Sequence, residues 1–217
     1  MRKAFVLVLL AGAAWAETPP TIPLPKPNTT EGMPLMQALD ARRSGREFST
    51  EKLSPQALSN LLWAAYGVNR PDGRRTAPSA NNRQTIDIYA VLAEAVYLYN
   101  AKEHRLDLVV AGDLRAATGS QPFVAQAPLN LVYVADYAKM PKTPDTTRTL
   151  YSAAETGSIG QNVYLYCASE GFSTVIRALM DSDALAQALH LRPEQKIMLS
   201  QTVGYPSRTP ADKKGAN

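Results

Sequence analysis

Val96-Tyr97-Leu98-Tyr99, a polar turn from Asn100 to Arg105, and the apolar run from Leu106 to Val110 read as two strands joined by a hairpin. A hairpin makes its strands antiparallel, and that decides the class of sheet the rest of the chain must fit. Ile86, Ile88, Tyr89 and Val91 form a strand before the hairpin. After it, Leu129-Asn130-Leu131-Val132-Tyr133-Val134 is β-branched and aromatic enough to be a central buried strand. Phe172 to Ile176 and Ile197 to Val203 supply two further strands.

Helical periods interleave with these strands. Leu35, Met36 and Leu39 follow Pro34 on one side of a helix that Gly45 ends. Ser54-Pro55 is a capped helix start, and Leu58, Leu61, Leu62 and Ala65 follow at helical spacing up to Gly67. The longest helix is expected from Leu150 to Glu170, closed by Gly171, with Cys167 a small core residue and Gly157 and Gly160 open to close approach by another helix or a flat ligand. Asp181 or Asp183 caps a last short helix through Leu185 and Leu189. Asn69 to Gln84 and Tyr137 to Arg148 read as loops, the first long enough to suggest a functional role. The expected class is α+β, a mainly antiparallel sheet flanked by helices in three layers.

The ends of the chain differ in kind from its middle. Met1-Arg2-Lys3, an apolar segment from Ala4 to Ala14 and the small-residue pattern Ala14-Trp15-Ala16 form a signal peptide over residues 1–16, too short to span a bilayer and implying export, in a bacterium to the periplasm. No cysteine stands at the cleavage point to take a lipid anchor, so no stable membrane insertion is expected once the signal is removed. Residues 17–33, with Pro19, Pro20, Pro23, Pro25 and Pro27, form an extended strap along the surface. Residues 34–208 form the domain, and 209–217 a flexible tail.

Charge and composition exclude several function classes. Without Arg2 and Lys3, 23 − 2 = 21 basic side chains face 19 acidic ones, a near balance that argues against nucleic acid as the partner. One cysteine and two histidines leave no cysteine-cluster metal site, and His104, in the hairpin turn, and His190, at a helix end, read as ordinary surface imidazoles. No Gly-x-Gly-x-x-Gly after a strand, no Gly-x-x-x-x-Gly-Lys and no Gly-x-Ser-x-Gly elbow is present. The densest chemistry lies in Arg42-Arg43-Ser44-Gly45-Arg46-Glu47-Phe48, whose guanidinium groups and hydroxyl suit a dianionic phosphate.

That segment resembles the Arg-Arg-Ser-x-Arg-x-Phe signature of the nitroreductase-like flavoproteins. Leu61 to Gly67, Ala77 to Gln84, Gly160 to Val163 and Val203 to Pro206 fit the same family in the same order. The Val96 to Leu106 hairpin is similar to the thiazoline and oxazoline (azoline) dehydrogenase branch. The resemblance implies FMN held at a homodimer interface and hydride transfer through flavin N5, with no side chain essential as acid or base. It places Arg42, Arg43, Ser44 and Arg46 at phosphate, ribityl and pyrimidine edge, Ser79, Ala80, Asn82 and Gln84 on a loop reaching to the flavin across the subunits, and Arg208 at the phosphate. Arg177 and Ala178 stand where many members have a Glu-Gly pair facing N5, and Thr85 where the loop usually has proline. A small organic substrate and an electron donor or acceptor of unknown identity are implied. The alternative is an FMN- or ligand-binding dimeric module without turnover.

Overall fold

The computed structural model describes residues 20–207; the segment read as a signal peptide, the start of the segment read as a strap, Arg208 and the residues after it lie outside the described residues. Seven strands form one sheet in the order β1-β4-β3-β2-β5-β7-β6, every neighbouring pair antiparallel. They are β1 (Thr21–Pro23), β2 (Ile86–Val91), β3 (Ala95–Asn100), β4 (Arg105–Ala111), β5 (Leu129–Asp136), β6 (Ser173–Arg177) and β7 (Gln195–Gly204). The helices are α1 (Leu35–Ala41), α2 (Pro55–Tyr66), α3 (Asp145–Glu170) and α4 (Ser182–Ala188).

β5 explains the layering. All eight of its residues are buried, because both faces of a central strand are covered. Leu129, Leu131, Tyr133 and Ala135 pack in the core shared with α2 and α3. Val132 and Val134 point the other way, into a smaller core with Tyr89, Val96, Leu185 and Leu189 beneath α4. The three-layer α+β architecture read from the sequence is what forms.

α2 starts as its sequence dictates: Ser54 Oγ accepts from the Ala57 amide at 3.1 Å, with Pro55 in the first turn. α3 begins at Asp145, inside the segment expected to be loop, and its 26 residues make it about 39 Å long. Pro144 stands immediately before it; the sequence period misses this first turn because Thr146, Thr147 and Arg148 carry no apolar stripe. Gly171, at φ 74°, ends the helix in the left-handed conformation that glycine adopts readily. Gly160 is where α3 meets the sheet rather than another helix: a Cβ there would lie 2.8 Å from Ile176 Cδ1 on β6.

The structure leaves one apolar helix face open and corrects one reading of a surface residue. The apolar side of α1 does not face the core of its own chain: Leu35, Met36 and Leu39 are 62%, 75% and 42% exposed, and Ala38 is the buried residue. His104 is not a surface imidazole. It is half-buried, with Nε2 at 2.7 Å from Ser59 Oγ and 3.1 Å from the Pro25 carbonyl, and Nδ1 at 2.9 Å from Tyr99 Oη. Ser59 also donates to the Pro25 carbonyl. A proton on Nε2 satisfies every member, since Tyr99 then donates to Nδ1. The strap is thereby tied to α2 and the hairpin, and burial holds the imidazole pKa below its ordinary value, opposed by the Pro25 carbonyl.

Candidate functional site

The arginine segment leaves α1 at Arg42, whose amide still donates to the Ala38 carbonyl. It is then pinned to β6 and α3. Gly45 N donates to the Thr174 carbonyl at 2.9 Å, an approach that excludes a side chain, because a Cβ on Gly45 would lie 2.7 Å from Ser173 Oγ. Ser44 Oγ and Tyr164 Oη are 2.9 Å apart, and the same Tyr164 oxygen accepts from the Ile176 amide at 3.0 Å. Arg42 lies over the Tyr164 ring, 5.4 Å from its centroid. Phe48 anchors the far end in the core, 5.3 Å from the ring of Phe123.

Among the described residues neither a carboxylate nor a side-chain hydrogen bond occupies these guanidinium groups, whereas Arg70, Arg75, Arg83 and Arg177, also without a carboxylate, spend N–H groups on neutral acceptors of the chain. Arg74, Arg105, Arg115, Arg148 and Arg192 each bind a carboxylate within 4.0 Å, but among the described residues Arg42, Arg43 and Arg46 bind none. Arg43 and Arg46 are exposed and Arg42 is half-buried. The segment therefore presents three guanidinium groups whose charge the described part of the chain does not neutralise.

The Ser79–Gln84 loop forms a second half-site. Ala80–Asn82 make a 3-10 turn, and Asn81, Asn82 and Gln84 all have left-handed backbone, at φ 52°, 53° and 49°. Side chains hold it there: Ser79 Oγ accepts from Gln84 N at 3.0 Å, while Gln84 Nε2 donates to Asn82 Oδ1 at 3.1 Å and to the Gly73 carbonyl at 3.0 Å. Arg75, which the sequence reading passes over although it directly precedes Thr76-Ala77-Pro78-Ser79, donates from Nε to Gln84 Oε1 at 2.7 Å.

Behind this loop lies a second feature the sequence reading misses, the 3% exposed Glu155 of α3. Its carboxylate accepts from Tyr66 Oη, from Thr85 Oγ1 at 2.8 Å and from the Ile86 amide at 3.2 Å. Burial first, then the Glu155 charge, pushes the Tyr66 hydroxyl pKa well above its ordinary value. Thr85, where the family loop usually has proline, thus supplies a donor that proline lacks. The signal in the sequence is one acid on an apolar helix face, four residues before Ile159.

The two half-sites remain separate within one chain, sharing neither a hydrogen bond nor a cavity wall among the described residues. Their anchors on α3, Tyr164 and Glu155, are nine residues apart, about 13 Å along the helix. Arg177 and Ala178 lie at the end of β6, near the arginine segment. Ala178 is exposed, but the Arg177 side chain turns inward to Thr118 O at 2.8 Å, Asn130 Oδ1 at 2.9 Å and Thr202 Oγ1 at 3.1 Å. Burial lowers its pKa to about 10, which leaves it charged at neutral pH. What this pair can offer a ligand is therefore backbone. Cys167 is buried, and burial pushes its thiol pKa up, so it is no thiolate nucleophile. No group of three or more His, Cys, Asp or Glu able to hold a metal occurs among the described residues.

Residues 39–205 match the nitroreductase family. A nitroreductase-family protein of Methanocaldococcus jannaschii is 34% identical over 164 residues, covering 70% of this chain and 83% of its own. The crystal structure of a nitroreductase-family protein from Ralstonia eutropha superposes with a TM-score of 0.84 at 43% identity, over 94% of this chain and 98% of that one. The NADPH:FMN oxidoreductase of Vibrio harveyi shares the fold at 20% identity and a TM-score of 0.59, over 81% of this chain and 70% of that one. With the match running from inside α1 to the end of β7, the chain belongs to the nitroreductase family.

Proposed function

We propose that this protein is an exported FMN-dependent oxidoreductase that acts as a homodimer on a small organic substrate. The observation that carries the reading is the set of three arginines without carboxylate partners, fixed against β6 and α3 through Ser44 and Gly45. Such a set fits the phosphate end of FMN. Arg42, Arg43 and Arg46 would hold the phosphate, joined by Arg208, and Ser44 the ribityl chain. The backbone at Arg177 and Ala178 would face the ring. Ser79, Ala80, Asn82 and Gln84 would meet the flavin from the partner subunit, which accounts for two half-sites that one chain keeps apart. The exposed apolar side chains of α1, with Leu150 and Tyr151 on α3 at 65% and 37% exposure, supply the surface such a dimer would cover.

Bound FMN would supply hydride transfer at N5. The protein's part is to bind, orient and exclude water. The arginine segment has one acid, the exposed Glu47, the Ser79–Gln84 loop has neither a carboxylate nor an imidazole, and His104 is committed to the strap. The β3–β4 hairpin favours a dehydrogenase resembling the azoline enzymes within this class. The signal peptide read at residues 1–16 sets the compartment, the bacterial periplasm, and with it the need for an electron partner available there. Titrating the purified chain with FMN tests the reading: flavin absorbance and quenched fluorescence at one FMN per subunit are expected. Failure to take up FMN ends it. FMN that binds but that no donor or substrate reduces in stopped flow would leave a binding module without turnover.

A further inference from the structure

We propose that the loop between α2 and β2 carries a second anion site, an arginine cup that binds a phosphate or carboxylate group of the reaction partner. Arg70, Arg74, Arg75, Ser79, Asn81 and Asn82 contribute to the wall of a cavity of about 510 Å³, and no carboxylate lines it. Asp72, beside it, pairs with Arg74 at 2.7 Å, so the three arginines and this acid carry a net 3 − 1 = +2. Lys139, near the loop, is already paired with Asp87, and Arg83 donates to Thr143 Oγ1.

Arg70 and Arg74 are exposed and Arg75 is half-buried, and each guanidinium is tethered by hydrogen bonds to the chain. Arg70 donates from Nε to Asn69 Oδ1 at 3.0 Å and from Nη2 to the Arg75 carbonyl at 3.3 Å. Arg74 is held by Asp72 through both its side chain and its amide. Arg75 donates to Gln84 Oε1 and to the Tyr66 carbonyl, and its guanidinium lies 4.5 Å from the centroid of the Tyr66 ring. A guanidinium has five N–H groups, so Arg70 and Arg75 each keep 5 − 2 = 3 and Arg74 keeps 5 − 1 = 4 for a ligand. Orienting a long side chain costs entropy on binding, and here the protein has already fixed all three. Left-handed backbone at Asn81, Asn82 and Gln84, braced by the Gln84 amide on Gly73, keeps the two arms of the cup together. Such backbone persists only where the surroundings fix it.

The cup shares Ser79 and Asn82 with the loop assigned to the flavin, and naming its ligand as the reaction partner rests on that assignment; the anion site, carried by the arginines, does not. The test uses the full mature chain carrying R42A/R46A, which removes two of the three arginines of the other cluster, titrated calorimetrically at low salt with inorganic pyrophosphate and separately with citrate. Saturable binding is expected, and adding R70Q/R74Q should weaken it about tenfold or more without moving the thermal midpoint. Tighter binding of pyrophosphate supports the site and assigns it to phosphoryl groups, tighter binding of citrate supports it and assigns carboxylates. No binding to the R42A/R46A chain, or affinity unchanged by R70Q/R74Q, overturns the proposal. FMN affinity in an R70Q/R74Q chain should stay within about twofold of the parent, because neither residue belongs to the flavin clamp; a parallel loss of FMN would also overturn a separate cup. Pyrophosphate binding by the R42A/R46A chain, alongside an unmutated chain that takes up no FMN, would sink the flavin reading and leave the cup standing.

Discussion

At the end of β6 Arg177 is 6% exposed, and its guanidinium donates to a carbonyl, an amide oxygen and a hydroxyl. The arginines of the Arg42–Phe48 segment pack by backbone and through Ser44, yet none meets a carboxylate among the described residues. One residue type thus serves twice, once with its hydrogen bonds spent inside the fold and once with them left over. Donors consumed internally stabilise the chain, whereas donors held in place but unconsumed are what a ligand can use. His104 and Glu155 belong with Arg177 on this division, and Arg70, Arg74 and Arg75 stand between the two groups.

The contrast breaks first if Arg177 proves dispensable. Arg177→Ala strips partners from Asn130 and Thr202 and leaves a void beside Phe123, and should cost about 3 kcal/mol. For a domain of this size that lowers the thermal midpoint by on the order of 10 °C, read by calorimetry. FMN affinity tests the other side. R42A/R46A should weaken it about 100-fold, two charge-assisted contacts at about 1.5 kcal/mol each, while shifting the apo midpoint by less than about 2 °C. Unchanged affinity would remove the phosphate assignment. The smallest effect is in pH. Because burial depresses the His104 pKa, the folded chain resists a proton that the unfolded chain accepts near pH 6.5. The stabilisation is complete above that value and is lost as pH falls through the folded pKa. Urea midpoints between pH 7 and 5 should decline accordingly, and His104→Asn should flatten the decline.

Much of this division was written in the sequence. The β5 run is apolar without alternation because both faces are covered, and Ser54-Pro55 and Gly171 mark helix ends by backbone chemistry that needs no tertiary context. The arginine segment was legible by composition and by its order among the other motifs. What stayed hidden depends on partners distant in the chain. His104 meets Ser59 and Pro25, 45 and 79 residues away, and Glu155 meets Thr85 across 70. A helical period also cannot say whether its apolar face is met by the same chain, so the exposure of Leu35 and Met36 on α1 was beyond it. The Arg70–Arg75 loop reads as turn residues until the structure shows that its arginines are tied.

The strap has a consequence for keeping copies of this protein apart. β1 lies on the outer side of β4, opposite Arg105, Leu106 and Asp107, and covers a sheet edge that would otherwise present open backbone groups. Pro20 and Pro23 lack amide hydrogens, and β1 spans three residues, so the newly made edge is a poor template for another strand. His104, Ser59 and Gln56 hold the following residues, Pro25 and Lys26, by their carbonyls, so this guard is fastened from the inside. Resistance to edge-to-edge aggregation is therefore linked to the same half-buried imidazole whose protonation is expected to cost stability in acid.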